Sequence, residues 1–208
     1  MKQTLLLATR NQGKVAELKA LLSGTGIDVV DLSSYPGVEP GEENGSTFDE
    51  NACAKARAAA EATGLWALAD DSGLEVDALG GMPGVRSARF ADPRATDEAN
   101  NRLLVRRLEG VPEAERTARF VSAVAICSPA GECVVREGTC DGVIGLAPRG
   151  AGGFGYDPLF YVRGEGMTFA ELPPVRKNQI SHRALALMAI KPEIIARLGG
   201  RCFTCASR

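Results

Sequence analysis

Several short stretches of the chain carry side chains whose types and spacing could do chemistry. In ALADDSGLEV, residues 67–76, two adjacent carboxylates, Asp70 and Asp71, close an apolar run ahead of Ser72 and Gly73. Neighbouring acids repel and lose hydration unless a cation, hydrogen bonds or water compensate them. A strand pleat sends them to opposite faces, so only one enters a given site. A hard divalent cation such as Mg2+ takes one or two carboxylates and completes its shell with substrate phosphates, which suits this pattern. The ordinary alternative is an Asp-Ser-Gly turn bonded to local backbone.

In LLLATRNQGK, residues 5–14, a strand passes through a polar loop into a helix. Such a loop offers unpaired amides at the positive end of the helix dipole, a geometry that holds phosphate. Asn11 adds an amide donor and Lys14 a charge; a bland turn with a solvated lysine is the alternative. A Walker A loop is excluded, because Ala8 and Val15 stand where it needs Gly and Ser or Thr. Asn51 and Lys55 sit one helical turn apart and share a face. Glu42 and Glu43 lie in a loop, where acids are ordinarily solvated. In GGFGYDPLF, residues 152–160, glycines let backbone approach a ligand, and Phe154 offers a face for a nucleobase, or else packs in the core. In KNQISHRAL, Lys177, Ser181, His182 and Arg183 form a donor-rich edge at a helix start, although a lone histidine there is more often structural.

The elements that position these groups follow from periodicity. Residues 3–8 read as a buried strand, Val15, Leu18, Leu21 and Leu22 as a helix face, and residues 27–32 as a second strand. Thr47 and Glu50 have the spacing of a capping box, opening an alanine-rich helix that Gly64 stops. A strand over residues 65–69 ends at the two aspartates. Residues 96–108 read as a helix, and residues 118–127 with 132–138 as a hairpin turned at Ser-Pro-Ala-Gly. The pattern from 181 to 198 is helical, with Pro192 breaking it or starting a new helix. Mixed helices and strands with a hairpin predict an α/β fold around a mixed sheet.

With 208 residues and 45% apolar composition the chain can bury one sizeable core, and no composition shift marks a domain boundary. A formal net charge of −2 gives no field suited to nucleic acid or an anionic membrane. The apolar run at residues 5–8 is too short for a secretory signal, and ALALMAI at 184–190 is too short to span a bilayer, so the expected location is the cytoplasm. The six cysteines show no disulfide-like regularity and suit a reducing compartment; CFTC at 202–205 reads as a surface tail, since one histidine leaves a zinc site short of ligands.

Taken in order, LATRNQGK, TFDENACAKA, ADDSGLEVDALGGMPGVRSARF, GGFGYDPLF and KNQISHRALAL resemble the inosine triphosphate pyrophosphatase family across residues 3–190. The resemblance implies one domain over residues 1–200 with a tail at 201–208. It implies a two-lobed α/β fold on a long central mixed β-sheet flanked by helices, with a nucleotide cleft between the lobes. The implied enzyme is homodimeric and Mg2+-dependent, and hydrolyses ITP, dITP and XTP to the monophosphate and pyrophosphate. Carried over by motif, Thr9, Arg10, Asn11, Gln12, Gly13 and Lys14 hold the phosphates, with Arg10 at a variable point, and Lys55 adds a second, catalytic cation. Asp71 is the catalytic carboxylate and a metal ligand, Ser72 touches substrate, and Glu42, or else Glu43, is the second metal carboxylate. Phe154, Gly155, Tyr156 and Asp157 form the base pocket, completed by Lys177, His182 and Arg183. A pyrimidine-directed enzyme of the same fold and a non-catalytic nucleotide-binding regulator are the competing readings.

Overall fold

The computed structural model describes residues 3–39 and 41–199. Strands β1 (Thr4–Leu7), β2 (Asp28–Asp31), β3 (Trp66–Val76), β4 (Thr117–Cys127), β5 (Cys133–Ile144) and β6 (Phe160–Val162) form one mixed sheet in the order β2-β1-β3-β4-β5-β6. β1 pairs with β2 and β3 in parallel, and the remaining pairings are antiparallel. The sheet is flanked by α1 (Gln12–Leu22), α2 (Phe48–Thr63), α3 (Asp97–Arg107), α4 (Pro174–Ile180) and α5 (His182–Leu198). This is the α/β fold on a mixed sheet that the pattern predicted.

Strand alternation decides which helix each side chain meets. Ala67 and Ala69 of β3 and Ala123 and Ala125 of β4 pack under α2 through Ala52, Ala56, Ala59 and Ala60. Small residues on both sides bring helix and sheet close. On the opposite face Leu68, Val124 and Ile126 pack with Leu18 of α1 and Leu187 and Ile190 of α5. A third cluster, built from Leu74, Phe120, Phe160, Phe169, Leu104 and Leu108, lies farther along the long strands.

Local chemistry sets the ends of α2. Thr47 accepts from the Glu50 amide while the Glu50 carboxylate accepts from the Thr47 amide, and Gly64 closes the helix in the left-handed region at φ 70°. α5 does not break at Pro192, contrary to the periodic reading. The proline is exposed, on the side of the helix where Met188 is also exposed, so water can take the carbonyl that proline leaves unpaired.

The strand expected to end at residue 69 instead runs through both aspartates to Val76, paired with β4 from Ala67 to Val76. Ionised groups are tolerated mid-strand because cations meet them on each face, as described below. The cysteine expectation is also corrected for one pair. Cys127 and Cys133 are direct cross-strand partners at the hairpin end, with Cα atoms 4.2 Å apart, and form a disulfide. Their juxtaposition follows from the hairpin register rather than from sequence spacing. Cys53 and Cys140 are free thiols, and the CFTC segment lies outside the described residues. No described helix is long and apolar enough to cross a membrane.

Candidate active site

Alternation along β3 gives Asp70 and Asp71 separate surroundings, as the pleat predicts. Asp71 follows Ala67 and Ala69 onto the α2 face. There Lys55 Nζ donates to its Oδ1 at 2.8 Å and Asn51 Nδ2 to its Oδ2 at 3.1 Å. Lys55 Nζ also meets Glu43 Oε1 at 2.8 Å and the Asp70 carbonyl at 2.9 Å. The acidic loop is held in place by the Gly45 amide donating to Asn51 Oδ1 and by Arg89 donating to the Glu43 carbonyl. Glu42 is exposed and bonded to Asn44, so Glu43 rather than Glu42 reaches this cluster.

Burial pushes the Asp71 carboxyl up against the pull of Lys55, and the nearby Glu43 charge adds to the rise. Burial acts on Glu43 in the same sense, but Lys55, Lys14 and Arg89 hold it below the usual carboxylate range. Two acids sharing one ammonium are thus driven apart, which is the pattern of a proton acceptor beside a permanent anion. Burial would lower Lys55, yet the two carboxylates hold it above its ordinary value as a fixed cation.

Asp70 points to the other face. Its Oδ2 meets Lys14 Nζ at 2.8 Å and Arg183 Nε at 3.2 Å and accepts from Ser72 Oγ, while Ser122 Oγ donates to Oδ1. Burial opposes its ionisation, but Arg183 and Lys14 keep its carboxyl well below the usual range. The ion pairs continue through Glu17, which bonds both Arg183 and Lys177, to Asp157, 2.8 Å from Lys177 Nζ. The two arms meet at the Asp70 carbonyl, which accepts from Lys14 Nζ as well as from Lys55 Nζ.

Asn11 caps α1 by accepting from the Lys14 amide, and Thr9 Oγ1 accepts from the Asn11 amide. Gln12 bonds the Arg10 carbonyl. Arg10 turns away to the Val38 carbonyl and Glu39, so the variable position of the motif is directed to another loop. Gly13 has a specific reason for lacking a side chain: a Cβ there would stand 3.0 Å from the Phe154 ring. Phe154 therefore lies against the first loop, with Lys177 and Arg183 over its ring at 5.3 and 5.5 Å.

Asn11, Lys14, Ser72, Phe154, Gly155, Tyr156, Asp157, His182 and Arg183 line one pocket of about 140 Å3. That is below the roughly 300 Å3 of a drug-sized ligand site and suits a single ring system. His182 is buried and stacked on Phe120, its Nδ1 has no hydrogen-bond partner among the described residues, and burial with the adjoining Arg183 keeps the imidazole neutral. Gly138 permits this placement, because a Cβ there would fall 2.3 Å from the His182 carbonyl oxygen.

Sequence reasoning missed Glu17, Ser122 and Asp97. Glu17 lies three residues beyond Lys14 on α1 and shares its face, a spacing that could have suggested it. Asp97 Oδ2 accepts from the Gly155 amide at 2.6 Å and Asn101 Nδ2 donates to the Gly155 carbonyl, so α3 grips the loop that carries Phe154. Nothing local in the sequence announces that contact.

Among the described residues no group of three or more His, Cys, Asp or Glu side chains is placed to hold a metal. Glu43 and Asp71 converge on the Lys55 ammonium and so are near enough to share one cation. One or two carboxylates, completed by water and substrate phosphates, is an ordinary Mg2+ shell, and this donor set fits it.

A mixed sheet with a capped, lysine-bearing loop at one strand end, paired acids on the central strand and a ring-sized pocket beside them defines an α/β enzyme that handles nucleotide phosphates. A model of the Ham1 family matches residues 5–193, and the chain belongs to that family. It is 56% identical over 194 residues to a dITP/XTP pyrophosphatase of Desulforamulus reducens, covering 93% of this chain and 96% of the relative. It is 52% identical over 190 residues to a dITP/XTP pyrophosphatase of Geobacter sulfurreducens, covering 91% and 96%. A HAM1 protein structure from Coxiella burnetii superposes with a TM-score of 0.85 at 41% identity, covering 93% of this chain and 99% of that one. These matches bear out the resemblance read from the motifs.

Proposed function

We propose that this chain, a nucleoside-triphosphate pyrophosphatase, hydrolyses the non-standard purine nucleotides ITP, dITP and XTP to the monophosphate and pyrophosphate with Mg2+, as a cytoplasmic homodimer. The carrying observation is the Asp70 carbonyl on which Lys14 and Lys55 converge, with Glu43 and Asp71 beyond Lys55 and the ring pocket on the near side. A purine ring against Phe154 directs its phosphates past Asn11 and Lys14 toward Lys55, along a cleft between the α1–α5 core and the third core.

Phosphoanhydride hydrolysis needs charge neutralisation and an aligned water more than a covalent nucleophile. Lys14 and Lys55 bind the phosphate charge, and the α1 amides around Asn11 add donors. Asp71, oriented by Asn51 and raised by burial, takes the proton of the attacking water. Glu43 and Asp71 would hold Mg2+, which when bound neutralises charge on the phosphates.

Selectivity follows from a buried neutral histidine with an unmet ring nitrogen. Hypoxanthine and xanthine present a 6-oxo acceptor, whereas adenine presents a donor, and a mispaired buried group can cost about 10^4-fold. In a panel of eight nucleotides, pyrophosphate release is expected from ITP, dITP and XTP, and on the order of 10^4-fold less from ATP. Chelation should abolish it and added Mg2+ restore it. Equal cleavage of ATP and ITP would remove the proposed selectivity.

The grip of α3 on Gly155 gives a second expectation. Asp97→Ala frees the Phe154 loop, and losing a hydrogen bond to a charged group costs about 1.5–3 kcal/mol. KM for ITP should rise about tenfold or more while kcat changes little. Initial-rate kinetics decide the point, since a fall confined to kcat would place Asp97 in the chemistry instead.

A further inference from the structure

Arg116, the residue just before β4, is only 8% exposed. Its Nε has no hydrogen-bond partner among the described residues, and its ion pair is a 3.7 Å approach of Nη2 to Glu113, whose side chain is 84% exposed. Arg183, comparably buried, also has an unbonded Nε, but its two other nitrogens donate to Glu17 and Ser72 and the Asp70 carboxylate lies 3.2 Å away, whereas Arg116 has only the distant Glu113. A buried guanidinium without acceptors is costly, and its planar fork matches an oxyanion.

Arg116 borders a cavity of about 630 Å3 beside the ends of β4 and β5 and the turn after β6. Arg163 also lines it, loosely paired with Asp141 at 3.6 Å with both side chains more than half exposed. So do Gly164 and Gly166, whose amides make no backbone hydrogen bond among the described residues. Glu113 is the acid on the rim, and its exposure lets it turn away. Arg116 stands four residues before Phe120, the β4 residue that lines the pocket described above, about 13 Å away at the rise of a strand, and the two cavities share no lining residue.

We infer that this cavity is a second, phosphate-binding site, in which Arg116 holds the oxyanion from inside and Arg163 closes over it from the rim. It takes inorganic phosphate or the terminal phosphate of a small monoester.

Thermal unfolding separates this site from the first. Sodium phosphate and ribose 5-phosphate are titrated against sodium chloride and sodium acetate at equal ionic strength, into the wild-type chain and into Lys14→Ala, which weakens the first site. Both proteins should show a phosphate-dependent rise in midpoint of roughly 5 to 10 °C at 100 times the dissociation constant. The tighter of the two phosphates identifies the source. In the Lys14→Ala background Arg116→Met should lose the rise; with Lys14 intact it should show a smaller rise than wild type, remain at least as stable as wild type in chloride because a poorly compensated charge is gone, and release pyrophosphate at the wild-type rate. An undiminished phosphate response in Arg116→Met overturns the site. So does a fall of several degrees for that variant in chloride, which would show the guanidinium already satisfied by the protein. An equal response to acetate overturns the phosphate assignment.

Discussion

Asp71→Asn is expected to lower kcat for ITP hydrolysis by on the order of 10^3 or more while leaving nucleotide affinity within a few-fold of wild type. The amide keeps the shape of the carboxylate but cannot take a proton from water and carries no charge to share with a cation. Lys55, which stands 2.8 Å from both Asp71 and Glu43, keeps Glu43 as partner, so the fold around it should persist. Under the proposed function, affinity would be carried mainly by the pocket around Phe154 and by Lys14, on the far side of the Asp70 carbonyl. Stopped-flow binding together with pyrophosphate release distinguishes the two quantities, and normal turnover would remove Asp71 from the mechanism. The same assay sorts the neighbouring acids. Glu43→Gln should impair turnover, whereas Glu42→Gln should not, because Glu42 is turned to Asn44.

Much of this arrangement is legible before any coordinates. The capping box at Thr47, the stop at Gly64 and the hairpin at Ser-Pro-Ala-Gly are local, set by residues within a few positions of each other. The division of Asp70 from Asp71 follows from the pleat alone. What the sequence does not disclose is compensation between distant residues. β3 continues through two acids because Lys14 lies 56 residues before Asp70 and Ser122 lies 52 after it, and no local pattern carries that information. Glu17 escapes for the same reason, since its partners Lys177 and Arg183 are on the last two helices. The disulfide depends on a hairpin register that places Cys127 opposite Cys133, and Pro192 is tolerated because of which side of α5 faces water. Glu42 and Glu43 differ only in the direction a loop turns, which composition cannot decide.

Asp70→Asn should cost more stability than any other single change in the site, about 3–5 kcal/mol, because it leaves Arg183 and Lys14 with a buried charge partner removed. For a chain of this length that is a fall of about 10 °C in midpoint. The pH dependence gives the sign. Burial opposes ionisation of Asp70, but Arg183 and Lys14 hold its folded pKa well below that of an unfolded aspartate. A depressed carboxyl contributes stability that is complete above the unfolded value, near 3.9, and that is lost as the pH falls through the folded value. Urea unfolding of both proteins should therefore show a constant difference from pH 5 to 8 that narrows only in strong acid. A gap that closes near pH 6 would mean that another group, not the Asp70 charge, carries the difference. Asp70 makes no direct step in the chemistry, yet it sets Lys14 at the phosphate loop and Arg183 beside the ring pocket. Under the proposed function, the charge expected to contribute most to the stability of the site would therefore also keep both ends of the substrate in register with Asp71.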